Sequence, residues 1–221
     1  MRRPGAAQLT AAGEQGRGDW AELGAALLLA LATVATAWSG YQASRWNGEQ
    51  AKAFSRASAT RIESTRASAR ADAQTQVDVA TFTQWVNAYA QEQTELADFY
   101  FARFRPEFEP AVQAWVATRP LRNPDAPLTP FAMPEYKVAA RAEAAALEAE
   151  AEEWSARARA NVQRATNYVL GVVLFASALF FAGMSSKLGT RRLQVTLFGF
   201  GVAVFALGVT WLATLPLSFS V

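Results

Sequence analysis

Three stretches of this 221-residue chain carry almost no charge, and they constrain its fold more than any other feature. They cover residues 23–41, 168–186 and 193–221. Each approaches the roughly 20 apolar residues that a helix needs to cross a hydrocarbon core about 30 Å thick. Because a backbone in lipid must satisfy its own hydrogen bonds, we expect each stretch to form a transmembrane helix.

Tryptophan and tyrosine side chains flank the first of these stretches. Amphipathic rings prefer the boundary between lipid and water, so they mark where the chain enters and leaves the membrane. We therefore predict the first transmembrane helix at residues 20–41, after a polar N-terminal tail of residues 1–19. The predicted membrane-interface anchors are Trp20, Trp38, Tyr41 and Trp46.

A cleaved signal peptide is the alternative interpretation of this first helix. The segment from Ala35 to Ala37 has the small-x-small form of a cleavage site. A signal peptide begins with a basic leader, whereas this leader is long and contains Glu14, Asp19 and Glu22. We favour the uncleaved membrane helix.

The second and third transmembrane helices are predicted at residues 167–186 and 193–217, joined by a basic loop at residues 187–192. Small residues recur every three or four positions in all three helices, and such rows let membrane helices approach closely. They can pack the helices of one chain together, or one row can form the interface of a homo-oligomer. The rows are Ala32, Thr36 and Gly40; Ala178, Ala182 and Ser186; and Gly199, Ala203, Ala206 and Thr210.

Charge in the short connecting segments predicts the orientation. The N-terminal tail and the loop between the last two helices are basic, as cytoplasmic segments are, and three spans put both on one side. We expect a bacterial inner-membrane protein with a cytoplasmic N-terminus and a large domain that is periplasmic or extracellular. The basic residues are Arg2, Arg3, Arg17, Lys187, Arg191 and Arg192, while Arg45, Lys52, Arg157, Arg159 and Arg164 favour the opposite orientation.

The extramembrane domain, residues 42–166, is predicted to be helical. Residues 49–105 contain no Gly or Pro and favour a helix, with a break near residues 70–76, where apolar side chains larger than alanine vanish. A short amphipathic helix and a Pro-rich connector at residues 119–134 follow, and large side chains should anchor the connector on the domain. The candidate partner-binding residues of this region are Phe108, Trp115, Phe131, Met133 and Tyr136.

The last helix of the domain repeats small and apolar residues at alternating spacings of three and four. This spacing is typical of a coiled coil, in which Asn161 would fix the register. We expect this helix to pair with the first long helix as a helical hairpin and to continue unbroken into the second transmembrane helix. The row is Ala140, Ala144, Leu147, Ala151, Trp154, Ala158, Asn161 and Ala165.

The two long helices carry opposite charge. Residues 41–70 hold six basic and two acidic side chains, and residues 135–153 hold two basic and six acidic ones. The charges either pair across the hairpin or leave a basic stripe that meets anionic lipid or an acidic partner. The candidate basic stripe is Arg45, Lys52, Arg56, Arg66 and Arg70, and the acidic residues are Glu143, Glu148, Glu150, Glu152 and Glu153.

The composition argues against most kinds of catalytic site and metal site. The chain has no histidine and no cysteine, so the commonest general base and the usual zinc ligands are missing. A net charge of +2 does not indicate nucleic acid. We predict a non-catalytic protein without cofactor or metal, an interaction or scaffold module. The alternative is an oligomeric pore, lined by the hydroxyl groups of Thr33, Thr36, Thr196 and Thr210.

Several strings resemble a family of uncharacterised bacterial integral membrane proteins. They are "FRPEFEPAVQAWVATRP", "NPDAPLTPFAMPEY" and "NYVLGVVLFASALFFAG", together with the residues around Trp38. The resemblance implies a bacterial membrane protein and supplies no activity. The sequence thus predicts an all-α membrane protein of three transmembrane helices, with a helical-hairpin, coiled-coil-like domain between the first two. Its expected partners are the lipid bilayer, further copies of itself, and a protein that binds the Pro-rich connector.

Overall fold

All regular structure in the described part of the chain is helical. A computed structural model describes residues 7–120 and 122–218, with side chains from residue 22 onward. The side chain of Trp20 therefore lies outside the described residues, as does the beginning of the N-terminal tail. The elements are α1 (Ala7–Ala90), α2 (Thr94–Phe101), α3 (Glu109–Ala117), a 3-10 turn (Pro130–Ala132), α4 (Ala139–Ser185) and α5 (Arg191–Ala213).

Three of these helices contain segments long and apolar enough to cross a membrane. They are α1, α4 and α5, and each contains one of the uncharged stretches. The prediction of an all-α protein with three such helices is confirmed. The short amphipathic helix is confirmed as α3, and α4 is one unbroken helix, as expected from its sequence.

The predicted break near residues 70–76 is wrong, because α1 is a single helix to Ala90. Alanine, arginine and glutamine have high helix propensity and need no large apolar side chain to stay helical. The helix ends instead at Ala90, and Glu92, two residues later, has a left-handed φ of 59°. The amide of Gln93 donates to the carbonyl of Ala88 at 3.0 Å, which closes the helix end as in a Schellman motif.

The chain divides into two compact units. The first, called the membrane unit, comprises Met1–Phe54 and Ala156–Val221, and the second, called the polar unit, comprises Ser55–Ser155. Close approach of helices holds the membrane unit together. Ala32, Ala178 and Ala182 are fully buried there. A methyl group built on Gly208 of α5 would lie 2.8 Å from the Phe175 ring of α4, so only glycine fits without rearrangement.

The three rows of small residues in the membrane unit have different surroundings. Ala178 and Ala182 pack within the chain, which supports the intramolecular interpretation for the α4 row. The α5 row points away from the other helices. Gly201 and Gly208 are the buried glycines of α5, whereas the row's own members, Gly199, Ala203, Ala206 and Thr210, are exposed.

In the polar unit, buried residues of α1 recur every seven positions. Ser64 is one of them, and its hydroxyl donates to the carbonyl of Ala144 in α4 at 2.9 Å. On α4 the alanines of the predicted row are buried, while Leu147 and Trp154 are half-buried. The seven-residue row of α1 is Ala57, Ser64, Ala71, Asp78 and Trp85.

Candidate functional site

The large apolar side chains of the polar unit meet in one cluster, here called the aromatic cluster. Phe82 and Trp85 come from the end of α1, Phe104 and Phe108 come from the segment that leads into α3, and Val112 comes from α3 itself. Phe82 meets Phe108 edge-on at 6.3 Å between ring centroids. The half-buried residues that pack against this core include Trp115, Phe131, Met133 and Tyr136.

All five candidate partner-binding residues therefore belong to the aromatic cluster, although they span 29 positions of the chain. The Phe108 ring stacks on Phe131 at 5.2 Å with only 4° between their planes, and Tyr136 meets it edge-on at 5.6 Å. Phe108 has no exposed surface. Of these five candidates, only the four half-buried side chains have surface with which to contact a partner directly.

The Pro-rich connector is held on both sides of Leu128, at Pro127 and at Pro130. The Trp115 indole nitrogen donates to the carbonyl of Pro127 at 2.7 Å. Pro130 is fully buried. Between them Leu128 is 94% exposed, the most exposed large apolar side chain of the described residues. The connector thus holds an apolar side chain in solvent on a fixed backbone.

A buried ion pair lies beside the cluster, and the sequence interpretation missed it. Asp78 is buried in α1, and both of its carboxylate oxygens accept from the Arg105 guanidinium, at 2.9 and 2.8 Å. The Tyr136 hydroxyl donates to the same carboxylate at 3.1 Å. Bidentate, charge-assisted bonds of this kind fix geometry as well as energy. The signal that marks Asp78 is its place in the seven-residue row, where every other member is small or aromatic.

These contacts shift two acid–base equilibria. The hydrogen bond to Asp78 is the main cause that raises the pKa of Arg105 above its ordinary value, so this guanidinium keeps its charge. Burial is the main cause that raises the pKa of Tyr136 above its usual 10.0, so its phenol keeps the proton that it donates. The arrangement is a structural link between α1, the segment before α3 and the residues that follow the connector.

The candidate basic stripe does not act as one surface. Arg70 forms an ion pair with Glu143 at 3.2 Å, and the Arg56 guanidinium lies 4.7 Å from the centre of the Trp154 ring. Lys52 pairs with Glu49 in its own helix at 2.8 Å. Arg66 is exposed, and Arg45 is half-buried.

Arg61, which the stripe did not include, contacts two of the five predicted acidic partners. It reaches Glu148 at 3.4 Å and Glu152 at 3.6 Å. Both partners and Arg61 are about half exposed. Exposed pairs stabilise by only about 0–1 kcal/mol, so these contacts contribute orientation more than stability.

The predicted interface anchors have different environments. Trp38 and Tyr41 are exposed, with ring centroids 5.8 Å apart. Trp46 is buried instead, in a cluster with Ala43, Ala165 and Tyr168. It packs between helices because it lies on the inner face of α1.

The threonine hydroxyls that the pore interpretation requires bond within their own helices. Thr33 and Thr36 donate to the carbonyls of Leu29 and Ala32, each at 2.7 Å. Thr196 and Thr210 likewise donate to carbonyls four residues earlier, at 2.9 Å. A hydroxyl satisfied in this way has less capacity to replace the water around a solute.

Among the described residues, no group of three or more carboxylate, histidine or cysteine side chains could hold a metal ion. Comparison with protein-family models, with curated proteins and with solved structures finds no match to this chain. The aromatic cluster and the connector that it anchors are therefore the best-defined candidate site, on geometry alone.

Proposed function

We propose that the protein is a non-catalytic membrane protein whose polar unit is an interaction or scaffold module. In this proposal α1 and α4 pair in the polar unit as a coiled-coil-like helical hairpin. The protein acts as a homo-oligomer in the bacterial inner membrane, with a cytoplasmic N-terminus and the polar unit on the opposite side.

One observation carries the proposal: the connector presents an exposed apolar side chain on an anchored backbone. Leu128 stands in solvent between Pro127, whose carbonyl is held by Trp115, and the buried Pro130. A preorganised loop loses little conformational entropy when it binds, so its apolar contacts contribute more fully to affinity. Functional contacts of proteins are commonly made by such loops on a rigid scaffold.

The polar unit also exposes further side chains of the kinds that are common at interfaces. Phe99 of α2 is 47% exposed, and Arg103 lies with its guanidinium 3.4 Å from the centre of that ring. Leu96 of the same helix and Val116 of α3 are also exposed. Aromatic and arginine side chains are enriched among the residues that dominate binding energy at interfaces. The proposed partner is therefore a protein with an apolar contact surface.

Site-specific photocrosslinking in intact membranes tests this proposal. A photoreactive residue at position 128 should crosslink one defined partner, and a crosslink to a second copy would identify the homo-oligomer. The matched control is position 68, which is also exposed but lies in the middle of the long helix α1. Equal crosslinking at both positions, or none at position 128, would contradict the proposal.

The mass of the detergent-solubilised protein separates the scaffold from the alternative pore. We expect a small, defined oligomer that does not conduct solutes in liposomes. A ring of four or more chains together with solute flux would favour the pore and overturn the scaffold. A monomer would contradict both the proposed homo-oligomer and the alternative pore.

A further inference from the structure

Charge is distributed unevenly between the two units. The membrane unit contains eleven basic and four acidic residues, a net charge of +7, and the polar unit contains ten basic and fifteen acidic residues, a net charge of −5. Residues 156–221 contain no acidic residue. Excess basic charge beside a membrane attracts anionic lipid, by about 1 kcal/mol for each Lys or Arg near the surface.

Two of these basic residues lie at the depth of lipid phosphate groups. Arg45 follows Tyr41 by four residues on α1, and Arg164 precedes Tyr168 by four residues on α4. At a rise of about 1.5 Å per residue, both lie about 6 Å beyond the apolar stretch of their helix. The polar headgroup layer on each side of a bilayer is about 5–8 Å thick. The two arginines therefore lie within that layer.

Arg164 is held in place by neutral groups. Its guanidinium lies 4.7 Å from the centre of the Trp46 ring, and its Nη1 donates to the Asn161 side chain at 2.9 Å. It takes part in no ion pair of the described residues. An arginine has five N–H donors, so Arg164 keeps donors for a ligand after bonding Asn161.

The polar groups beneath Arg164 are also donors. Gln42 is fully buried on the inner face of α1, and its Oε1 accepts from the Ser218 amide at 3.1 Å while its Nε2 has no protein acceptor. The Trp46 indole N–H is buried without an acceptor as well. Gln42 and Trp46 thus leave two donors without a protein acceptor at this end of the membrane unit, and a ligand with acceptor oxygens would complement them.

We propose that Arg164, together with Arg45, binds the phosphodiester of an anionic phospholipid where α1 and α4 leave the apolar layer. The planar guanidinium matches two phosphate oxygens at once, and Trp46 fixes its plane. The net charge of the unit selects an anionic head group over a zwitterionic one. The basic residues at the opposite end, Lys187, Arg191 and Arg192, have no such aromatic support in the described residues and serve as a comparison.

Lipid titration of the full chain tests the site. Delipidated protein in detergent is titrated with phosphatidylglycerol, with phosphatidylcholine and with inorganic phosphate, and bound lipids are counted by native mass spectrometry. We expect phosphatidylglycerol to bind more tightly than phosphatidylcholine, and inorganic phosphate not to compete at equal concentration. Equal binding of the two lipids would overturn the proposal, and competition by phosphate would reassign the site to free anions.

Variants locate the binding. Arg164→Gln should weaken phosphatidylglycerol binding about fivefold, the loss expected from one basic residue at a membrane surface. Arg192→Gln, the matched control at the other end of the unit, should leave binding unchanged. If Arg164→Gln does not fold, Arg45→Gln should show the same loss. The proposal would be overturned if a folded Arg164→Gln or Arg45→Gln variant bound phosphatidylglycerol as tightly as the wild type does. An equal loss of affinity in Arg192→Gln would also overturn it.

Discussion

The membrane unit and the polar unit bring α1 and α4 together by different means. In the membrane unit a methyl group on Gly171 of α4 would lie only 3.3 Å from the Ser39 hydroxyl of α1, so the helices approach to the limit that glycine allows. In the polar unit alanines occupy the buried rows, and Phe82, Trp85 and Phe108 concentrate the apolar burial at one end.

The difference follows from the two solvents. Lipid is as apolar as a side chain, so membrane helices associate through close packing and not through the hydrophobic effect. In water, burial stabilises by about 25 cal/mol for each Å² of apolar surface, and alanines bury little. The polar unit therefore depends on its aromatic cluster, while the membrane unit depends on its glycines. Four substitutions test this contrast.

The largest effect should come from Phe108→Ala in the polar unit. It opens a cavity where the ring is fully buried, and such a change costs about 3–5 kcal/mol. Denaturation in detergent, followed by near-ultraviolet circular dichroism, measures the loss. Leu128→Ala is the control, because a side chain that is 94% exposed should change stability by less than about 0.5 kcal/mol. Equal effects would contradict the assignment of the core.

Asp78→Ala should cost about 3 kcal/mol, because it leaves Arg105 half-buried without its carboxylate. The matched control is Asp72→Ala, which removes an ion pair with Arg141 in which both side chains are 62% exposed. That change should cost at most about 1 kcal/mol. The same denaturation assay compares them. A similar loss in both variants would show that burial does not decide the strength of these pairs.

In the membrane unit, Gly208→Ala should cost about 1–3 kcal/mol, because its Cβ would lie 2.8 Å from the Phe175 ring. Gly199→Ala is the control on the same helix, where the added methyl group meets no other side chain of the described residues. Thermal unfolding in detergent measures both. Phe175→Leu should partly restore the stability of Gly208→Ala, and its failure to do so would point to another contact.

The smallest effect concerns pH. Because the pKa of Tyr136 is raised in the folded protein, its phenol stays protonated there after the unfolded chain has begun to lose this proton. The contribution to stability is therefore complete below about pH 10 and decreases as pH rises from there through the folded pKa. Tyr136→Phe should lose less stability than the wild type between about pH 9 and about pH 11. Parallel curves would contradict this role.

The sequence predicts the helices better than it predicts their contacts. The uncharged stretches identify three spans because lipid admits few alternatives, and α3 and the alanine row of α4 follow from their spacing. The end of α1 is not predictable in the same way. Glu92 adopts a left-handed conformation in a segment without Gly or Pro, so no local signal marks it.

The contacts of the candidate site were likewise only partly predictable from the sequence. The sequence identified the aromatic residues around α3 and the connector, but their spacing could not show that Phe108 would be buried and Leu128 exposed. The pairing of Asp78 with Arg105 spans 27 positions and depends on the end of α1 at Ala90, which returns the chain toward its own helix. Arg61 rather than Arg66 contacts the glutamates, because these contacts depend on how α1 and α4 pack and not on charge pattern alone.

The seven-residue spacing of the buried rows determines which insertions and deletions the two helices of the polar unit can accommodate. Removing seven residues from α1 and seven from α4 within the polar unit would shorten it by about 10 Å and leave every remaining row position on the same face. Removing one residue from a single helix would turn the rest of that helix by about 100° and expose the row. The polar unit can therefore lengthen or shorten in steps of seven residues, with the aromatic cluster carried intact at its end.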